Sequence, residues 1–476
     1  MSRQLPADCL SEIFEYLDDD RITLRSCLLV NHTYCEVSVR ILWRNVLNFQ
    51  YIRHKLFLKY VPLSIISTLI ACLPNESKDL LHKNGIYIST PTSKPPLFNY
   101  PSFCKYLSVD KIDQIIEQVL QKQPQSITSG SFNYNKYLLS QEILKMFMKQ
   151  ISSLKSLNYC SFGSVYSKKV QSIMFTYLPE AKNCLIDLKE FNCSSDIYSE
   201  FFFQISQICH NIQFLTIDLE EVISDGLTDL ISLQNNLKSI SLHSWDRDGT
   251  GIITSSLAKS SLTLTKLKIE AYYTPLSFIS MFINLQELIL SLESEDSFDD
   301  FNQLQYVIFP KLKILKLLCT ISRVEMLIKF LETNGKNLME FSVNYYHDNL
   351  LNLAIAEFCP NLKKLSIIFM KNELETLKLI LNKCQYLENF NICGDRYLNS
   401  EEFLKILVKY LPKNFYELEI NFYITYEGLE EFFINWKNRI PQKSLSLIIT
   451  NYKNVNLNTL IEKYIKLGVI KKFKLK

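Results

Sequence analysis

One short phrase constrains this chain more than any other feature, because it keeps returning. The form apolar-x-x-apolar-x-apolar begins at Leu188 (LKEFNC), Ile212 (IQFLTI), Leu237 (LKSISL), Leu264 (LTKLKI) and Leu285 (LQELIL). It continues at Leu312 (LKILKL), Leu338 (LMEFSV), Leu362 (LKKLSI), Leu387 (LENFNI) and Phe415 (FYELEI), with a weaker copy at Ser444 to Ile448 and a last phrase, IKKFKLK, from Ile470. From 188 to 415 successive starts lie 21 to 28 residues apart. Period-2 alternation makes each phrase a short strand. The segments between them, such as NELETLKLILNKC and SEEFLKILVKYLP, space their leucines and isoleucines as a helix does. Asn211, Asn236, Asn284, Asn337, Asn361 and Asn414 each stand immediately before a phrase, consistent with a turn leading into the strand.

One strand and one helix per unit predicts an α/β solenoid, a leucine-rich-repeat horseshoe over residues 151–476, in which a unit buries its apolar face only by stacking on its neighbours. The competing reading is a doubly wound series of βαβ units. Such units run to about 30 residues or more and want glycines at their strand-to-helix turns, whereas the whole chain has ten. If the phrase leucines point inward, the alternate positions line the other face of the sheet. Those positions are Ser239, Ser241 and His243, then Lys266, Lys268 and Glu270, then Glu287, Ile289 and Ser291. Ile314, Lys316 and Leu318 follow, with Glu340, Ser342 and Asn344, Lys364, Ser366 and Ile368, Asn389, Asn391 and Cys393, and finally Glu417, Glu419 and Asn421. This is the candidate binding surface, mixed in sign except for its acidic end at Glu417 and Glu419. His243 beside Ser241 suggests no catalytic set. Trp245, just past that strand, is either an exposed anchor or a core residue. The acidic run from Glu293 to Asp300 reads as a solvated loop, the alternative being a site that attracts a basic segment. Lysines 471, 472, 474 and 476 on the last phrase suit an edge strand that must avoid pairing with other molecules.

Ahead of the repeats, residues 48–150 read as a mostly helical connector. LSIISTLIACL (63–73) is too short and too rich in Ser and Thr for a membrane span and reads as a buried helix. Ile112, Ile115, Ile116 and Val119 share one helix face, and Pro91, Pro95, Pro96 and Pro101 mark a loop at 90–101. The first 47 residues stand apart. Leu10, Ile13, Phe14 and Leu17 form an i, i+3, i+4, i+7 stripe, followed by Asp18 to Asp20, then Leu24, Cys27, Leu28 and Val30, and after a turn near Asn31 and His32 the apolar run to Leu42 and Trp43. Three short helices are expected, too small to be very stable alone. Apolar residues in excess of what they can enclose should leave Leu5, Pro6, Leu10, Ile13 and Leu28 partly exposed for a partner.

Composition removes other classes. The chain is 47% hydrophobic and 21% charged with net charge +3, so nucleic acid is not the expected partner. Thirteen cysteines without a CxxC argue for free thiols in a reducing compartment, cytoplasmic or nuclear, and against structural zinc. DGTGII (248–253) lacks the third glycine of a dinucleotide turn, and no GxSxG, HExxH or Walker-type stretch occurs. No cofactor, metal or membrane is expected.

The N-terminal residues resemble the F-box family. Leu5-Pro6, Leu10-Ile13-Phe14-Leu17, the Asp18 to Asp20 break, Leu24-Cys27-Leu28-Val30 and Leu42-Trp43 follow its pattern over residues 5–47. Tyr34 departs from it, standing where the family commonly has tryptophan while keeping an aromatic. The remainder looks like the fungal F-box proteins that carry leucine-rich repeats. The resemblance implies a non-catalytic substrate receptor of an SCF-type ubiquitin ligase. Leu5, Pro6, Leu10, Ile13, Phe14, Leu17, Leu28, Val30 and Trp43 would dock on a Skp-family adaptor, which holds a cullin and its RING partner, while the repeats bind the protein to be ubiquitinated. The alternative is a non-ligase repeat scaffold whose N-terminal helices cap the solenoid.

Overall fold

The structure is a computed structural model and describes residues 5–47, 57–91, 94–121, 129–160, 175–244, 250–272, 274–293, 295–343, 346–395, 398–440, 443–450 and 457–475. The chain divides into two compact units, residues 1–218 with 223–237, and 219–222 with 238–476. No helix among the described residues is long and apolar enough to cross a membrane.

The first unit opens with the three expected helices, α1 (Ala7–Glu15), α2 (Arg21–Cys27) and α3 (His32–Arg44), followed by α4 (Phe57–Ala71) and α5 (Asn75–Lys83). The array then starts earlier than the phrase spacing indicates. β1 (Tyr106–Ser108), α6 (Val109–Leu120), α7 (Ser129–Gln150) and β2 (Ser156–Tyr159) precede α8 (Ala181–Leu185), β3 (Glu190–Ser194), α9 (Ser199–Ile208), β4 (Phe214–Leu219) and α10 (Asp225–Ser232). These four strands pair in parallel and align Leu107, Leu157, Phe191 and Leu215 in one row. The phrase is in fact present at both early strands. Cys104, Leu107 and Val109 carry it for β1, and Leu154, Leu157 and Tyr159 for β2, with a cysteine and a tyrosine in the outer apolar positions.

The second unit contains β5 (Ser239–Ser244), α11 (Thr250–Ser256), β6 (Lys266–Ala271), β7 (Glu287–Leu292), β8 (Ile314–Leu317), α12 (Val324–Asn334) and β9 (Glu340–Val343). It continues with α13 (Asn349–Phe358), β10 (Lys364–Phe369), α14 (Leu374–Lys383), β11 (Asn389–Gly394), α15 (Ser400–Tyr410) and β12 (Glu417–Asn421), then α16 (Tyr426–Lys437), β13 (Leu445–Ile449), α17 (Leu457–Lys466) and β14 (Ile470–Leu475). Every expected phrase from 188 onward is a strand. Parallel pairing aligns Ile240, Leu267, Leu288, Leu315, Phe341, Leu365, Phe390, Leu418, Leu447 and Phe473. All but Phe473 are buried. At about 1.5–3 kcal/mol for each fully buried side chain, this row is a main source of the array's cohesion.

Not every unit uses an α-helix. The arms after β6 and β7 are 3₁₀ segments, Ser277–Met281 and Glu295–Gln303. The second corrects the expectation of a solvated acidic loop. Phe298 and Phe301 are fully buried and stacked at 4.6 Å, so this acidic run is the outer arm of a repeat, pinned by two rings. DGTGII also resolves into local structure, since Thr250–Ser256 is α11; Asp248 and Gly249 lie outside the described residues.

Turns between helix and strand are joined side to side. The asparagine before a phrase does more than favour a turn. Asn284 donates to the Leu262 carbonyl (2.8 Å) and Asn361 to that of Lys336 (2.9 Å), both in the preceding repeat. Asn337 reaches Pro310 in the same way at 3.5 Å. Deeper in the turns, buried Asn334 accepts from the Phe309 N–H (2.7 Å) and donates to Val307 (2.9 Å), while Gln234 does the same for Ile212 and Cys209, both at 2.9 Å. Thiols share this role, Cys209 donating to Leu185 and Cys384 to Cys359. Burial pushes Cys104, Cys184, Cys209, Cys319 and Cys384 up to about 12, so these thiols stay protonated. At the end of the array Gly468, at φ +71°, turns α17 into β14, a backbone conformation that favours glycine.

Candidate interaction surfaces

The three N-terminal helices enclose a core of their own. Asp20 accepts from the Thr23 N–H (3.0 Å) and Asn31 from that of Tyr34 (2.9 Å), fixing the starts of α2 and α3. Leu10, Phe14, Leu24, Val37 and Ile41 form the buried cluster, with Leu17, Cys27, Tyr34 and Leu42 packed on it. Tyr34 meets the Phe14 ring edge-on at 5.3 Å, so the aromatic at this position serves the core. Arg44 pairs with Glu15, which holds the Glu15 carboxyl below its ordinary range and clamps α3 to α1.

This arrangement divides the adaptor candidates. Leu10 is 2% exposed, correcting the expectation that it stays partly open; with Phe14 one turn later it faces Val37 and Ile41. Leu17 and Leu28 are half-buried. Trp43 faces Tyr100 at 4.6 Å, and the Arg44 carbonyl accepts from the Lys105 N–H (2.9 Å), so this end of α3 is anchored on the segment before β1. Leu5, Pro6, Ile13 (49%) and Val30 are exposed. Tyr16, Ile22 (79%) and Leu29 (90%) join them and were not singled out from the sequence, because they lie off the helical stripe. Their signal was an apolar residue at a position that the amphipathic pattern reserves for polar ones.

In the second unit the alternate strand positions do share the helix-free face of the sheet. Register places Ser239, Lys266, Glu287, Ile314, Glu340, Lys364, Asn389 and Glu417 in one row, and Ser241, Lys268, Ile289, Lys316, Ser342, Ser366, Asn391 and Glu419 in the next. Neighbouring strands neutralise one another. Lys266 pairs with Glu287 (3.0 Å) and Lys316 with Glu340 (2.7 Å), and the Asn389 amide donates to Glu417 (2.6 Å), while Lys268 pairs with Glu270 (2.6 Å) within β6. His243 has Ser241 Oγ at 3.0 Å and Glu270 Oε2 at 3.5 Å, both on Nε2. A hydroxyl-activating relay needs one partner on each ring nitrogen, so this trio lacks that geometry. Trp245 and Asn344 lie outside the described residues. Among the described residues no three His, Cys, Asp or Glu side chains gather as metal ligands.

Within each compact unit, parallel strands in chain order, an aligned apolar row and a helical or 3₁₀ arm per repeat define a leucine-rich-repeat-type α/β solenoid. No family model matches the sequence, and no curated protein matches it. Among solved structures the chain is similar to one in the crystal structure of the Rad7 and Elc1 complex in yeast, at 14% identity and TM-score 0.41, over 75% of this chain and 86% of that one. It is also similar to an internalin, InlF, from Listeria monocytogenes str. 4b F2365, at 12% identity and TM-score 0.31, over 77% and 94%. The fold assignment rests on the strand registers and buried rows described above.

Proposed function

We propose that this chain is a non-catalytic substrate receptor of an SCF-type ubiquitin ligase, its N-terminal helices docking on a Skp-family adaptor and its repeats holding the protein to be ubiquitinated. One observation carries this reading. A three-helix unit with a complete core of its own still exposes Leu5, Ile13, Tyr16, Ile22, Leu29 and Val30 within 26 residues of sequence, an apolar density that marks a partner surface. The resemblance of residues 5–47 to the F-box supports the identity of that partner.

The test is co-purification of the full chain with a Skp-type adaptor. Ile13→Glu with Val30→Glu should abolish capture while leaving the helices folded, since neither side chain enters the core. Undiminished capture by a folded double variant sinks the proposal. A second reading, a repeat scaffold capped by these helices, is favoured by the Trp43–Tyr100 packing and the Lys105-to-Arg44 hydrogen bond. Deleting residues 1–47 separates the two. Aggregation of the shortened chain supports a cap, and a soluble chain without adaptor binding supports a docking module.

A further inference from the structure

The turns that lead from helices into strands of the second unit form a rim, and its residues differ in kind from those of the sheet face. Backbone bonds tie consecutive turns together, from Gln286 N–H to Thr265 (2.7 Å), Lys313 to Gln286 (2.9 Å), Met339 to Lys313 (2.8 Å) and Lys363 to Met339 (2.8 Å). On the first three turns large apolar side chains stand in solvent. Leu262 and Ile308 are each 65% exposed, and Ile283 and Tyr306 are exposed beside them. Lys259 on the first turn is exposed too, but lysines gather further along, with Lys311 and Lys313 on the third turn and Lys336 on the fourth, all exposed. Segments 258–265, 281–286, 303–313, 334–339 and 358–364 contain no Asp or Glu. Over these five turns the rim is therefore mainly apolar at one end and basic at the other, and its next turn brings the first carboxylate, Glu388, which pairs with Lys363 (3.4 Å).

We infer that this rim binds an extended peptide segment whose apolar residues adjoin an acidic run. The inference deepens the receptor reading by naming the chemistry of the segment to be recognised. Adjacent turns are about 4.8 Å apart and an extended chain advances about 3.3 Å per residue, so three residues span two repeats. Leu262 to Ile308 accommodates about three residues, and the stretch through Lys336 about two more. Charge complementarity selects the occupant: acidic side chains meet Lys311, Lys313 and Lys336, and a basic segment is repelled. Apolar side chains at the other end fix the direction in which the segment lies.

The experiment uses the full chain and two fluorescein-labelled peptides, one with three leucines followed by four glutamates, the other with lysines in place of the glutamates. Anisotropy should show binding of the acidic peptide, weakened about tenfold by Ile283→Ser with Ile308→Ser and by Lys311→Glu with Lys336→Glu. The charge variant should prefer the lysine peptide. Equal binding of both peptides, binding that survives both variants, no binding of either, or binding only of phosphatidylcholine/phosphatidylserine vesicles each overturns the inference. All four side chains are exposed, so the variants should melt like the parent chain. Adaptor capture measured on the same preparations reads the receptor proposal separately: rim failure with intact capture refutes the rim alone.

Discussion

Leu10 and Ile13 sit within one turn of α1 and face opposite demands, which makes the pair a direct test of how the N-terminal surface is built. Leu10 is 2% exposed within a cluster of five buried apolar residues, whereas Ile13 is 49% exposed. Truncating a buried leucine to alanine in a close-packed core costs about 2.7–5 kcal/mol, transfer and cavity terms together. A core of this size supplies on the order of 3–5 kcal/mol, so Leu10→Ala removes most of the unit's stability. Ile13→Ala trades half-exposed area for better helix propensity and stays within about 0.5 kcal/mol. Global denaturation blurs local events in a repeat protein, so the assay is amide hydrogen exchange followed over residues 7–44 by mass spectrometry. Leu10→Ala should lose protection throughout α1 to α3 while the strands of the second unit keep theirs. Ile13→Ala should keep protection and lower adaptor capture. Retained protection in Leu10→Ala, or its loss in Ile13→Ala, would refute the division of α1 into a core side and a docking side.

Three further outcomes follow from the arrays. Asn334→Ala orphans the Phe309 N–H and the Val307 carbonyl in a buried turn, so urea denaturation should show a loss of about 2–5 kcal/mol, and Asn334→Asp, which turns a buried carboxylate oxygen toward the Val307 and Phe330 carbonyls, should lose at least as much. Glu340→Lys places like charges beside Lys316 and Lys364; a loss of about 1 kcal/mol, relieved by salt in the same assay, is expected, and a salt-independent loss contradicts the ladder. Asp110 supplies a pH dependence. Burial raises its carboxyl to about 7, opposed by the Cys160 N–H and Lys111 and reinforced by Asp113 and Asp218. The folded state thus holds a proton that the unfolded chain has released, and stability falls as pH rises from about 4 to about 7. Asp110→Asn, which keeps an acceptor for Cys160, should flatten that slope in thermal melts of the full chain; an unchanged slope counts against it.

Period-2 phrases made the strands from 188 onward legible because each buries its apolar side against two like neighbours, leaving little freedom in which residue faces in. The early strands were harder to read for a chemical reason: Cys104 and Tyr159 occupy positions that a search for aliphatic residues passes over, and two helices, α6 and α7, stretch that repeat to about twice its usual length. The acidic arm was misread because Phe298 and Phe301 are outnumbered by carboxylates, although two buried rings suffice to anchor a 3₁₀ segment. On α1 the stripe identified the apolar residues without separating Leu10 from Ile13. That separation depends on where α3 lies, and tertiary packing sets it.

The two sides of the second unit's repeats differ in how their charges are used. On the sheet face parallel register puts residues of adjacent strands about 4.8 Å apart, and the sequence places Glu287 against Lys266 and Glu340 between Lys316 and Lys364. Each pair there contributes at most about 1 kcal/mol to stability, but it cancels the field that a charged partner would sense. The turns are less tightly matched, since the segments that carry Lys311, Lys313 and Lys336 contain no Asp or Glu, and the first carboxylate along the row, Glu388, pairs with Lys363. A partner selected by charge therefore finds its attraction at the rim, while the sheet face offers hydrogen bonds already shared within the array. Removing one member of a face pair changes this balance. Glu340→Gln frees Lys316 and extends the basic surface inward, so it should tighten binding of the leucine–glutamate peptide, whereas Lys316→Gln exposes a carboxylate and should weaken it; equal effects of the two substitutions would show that the face takes no part in the field at the rim.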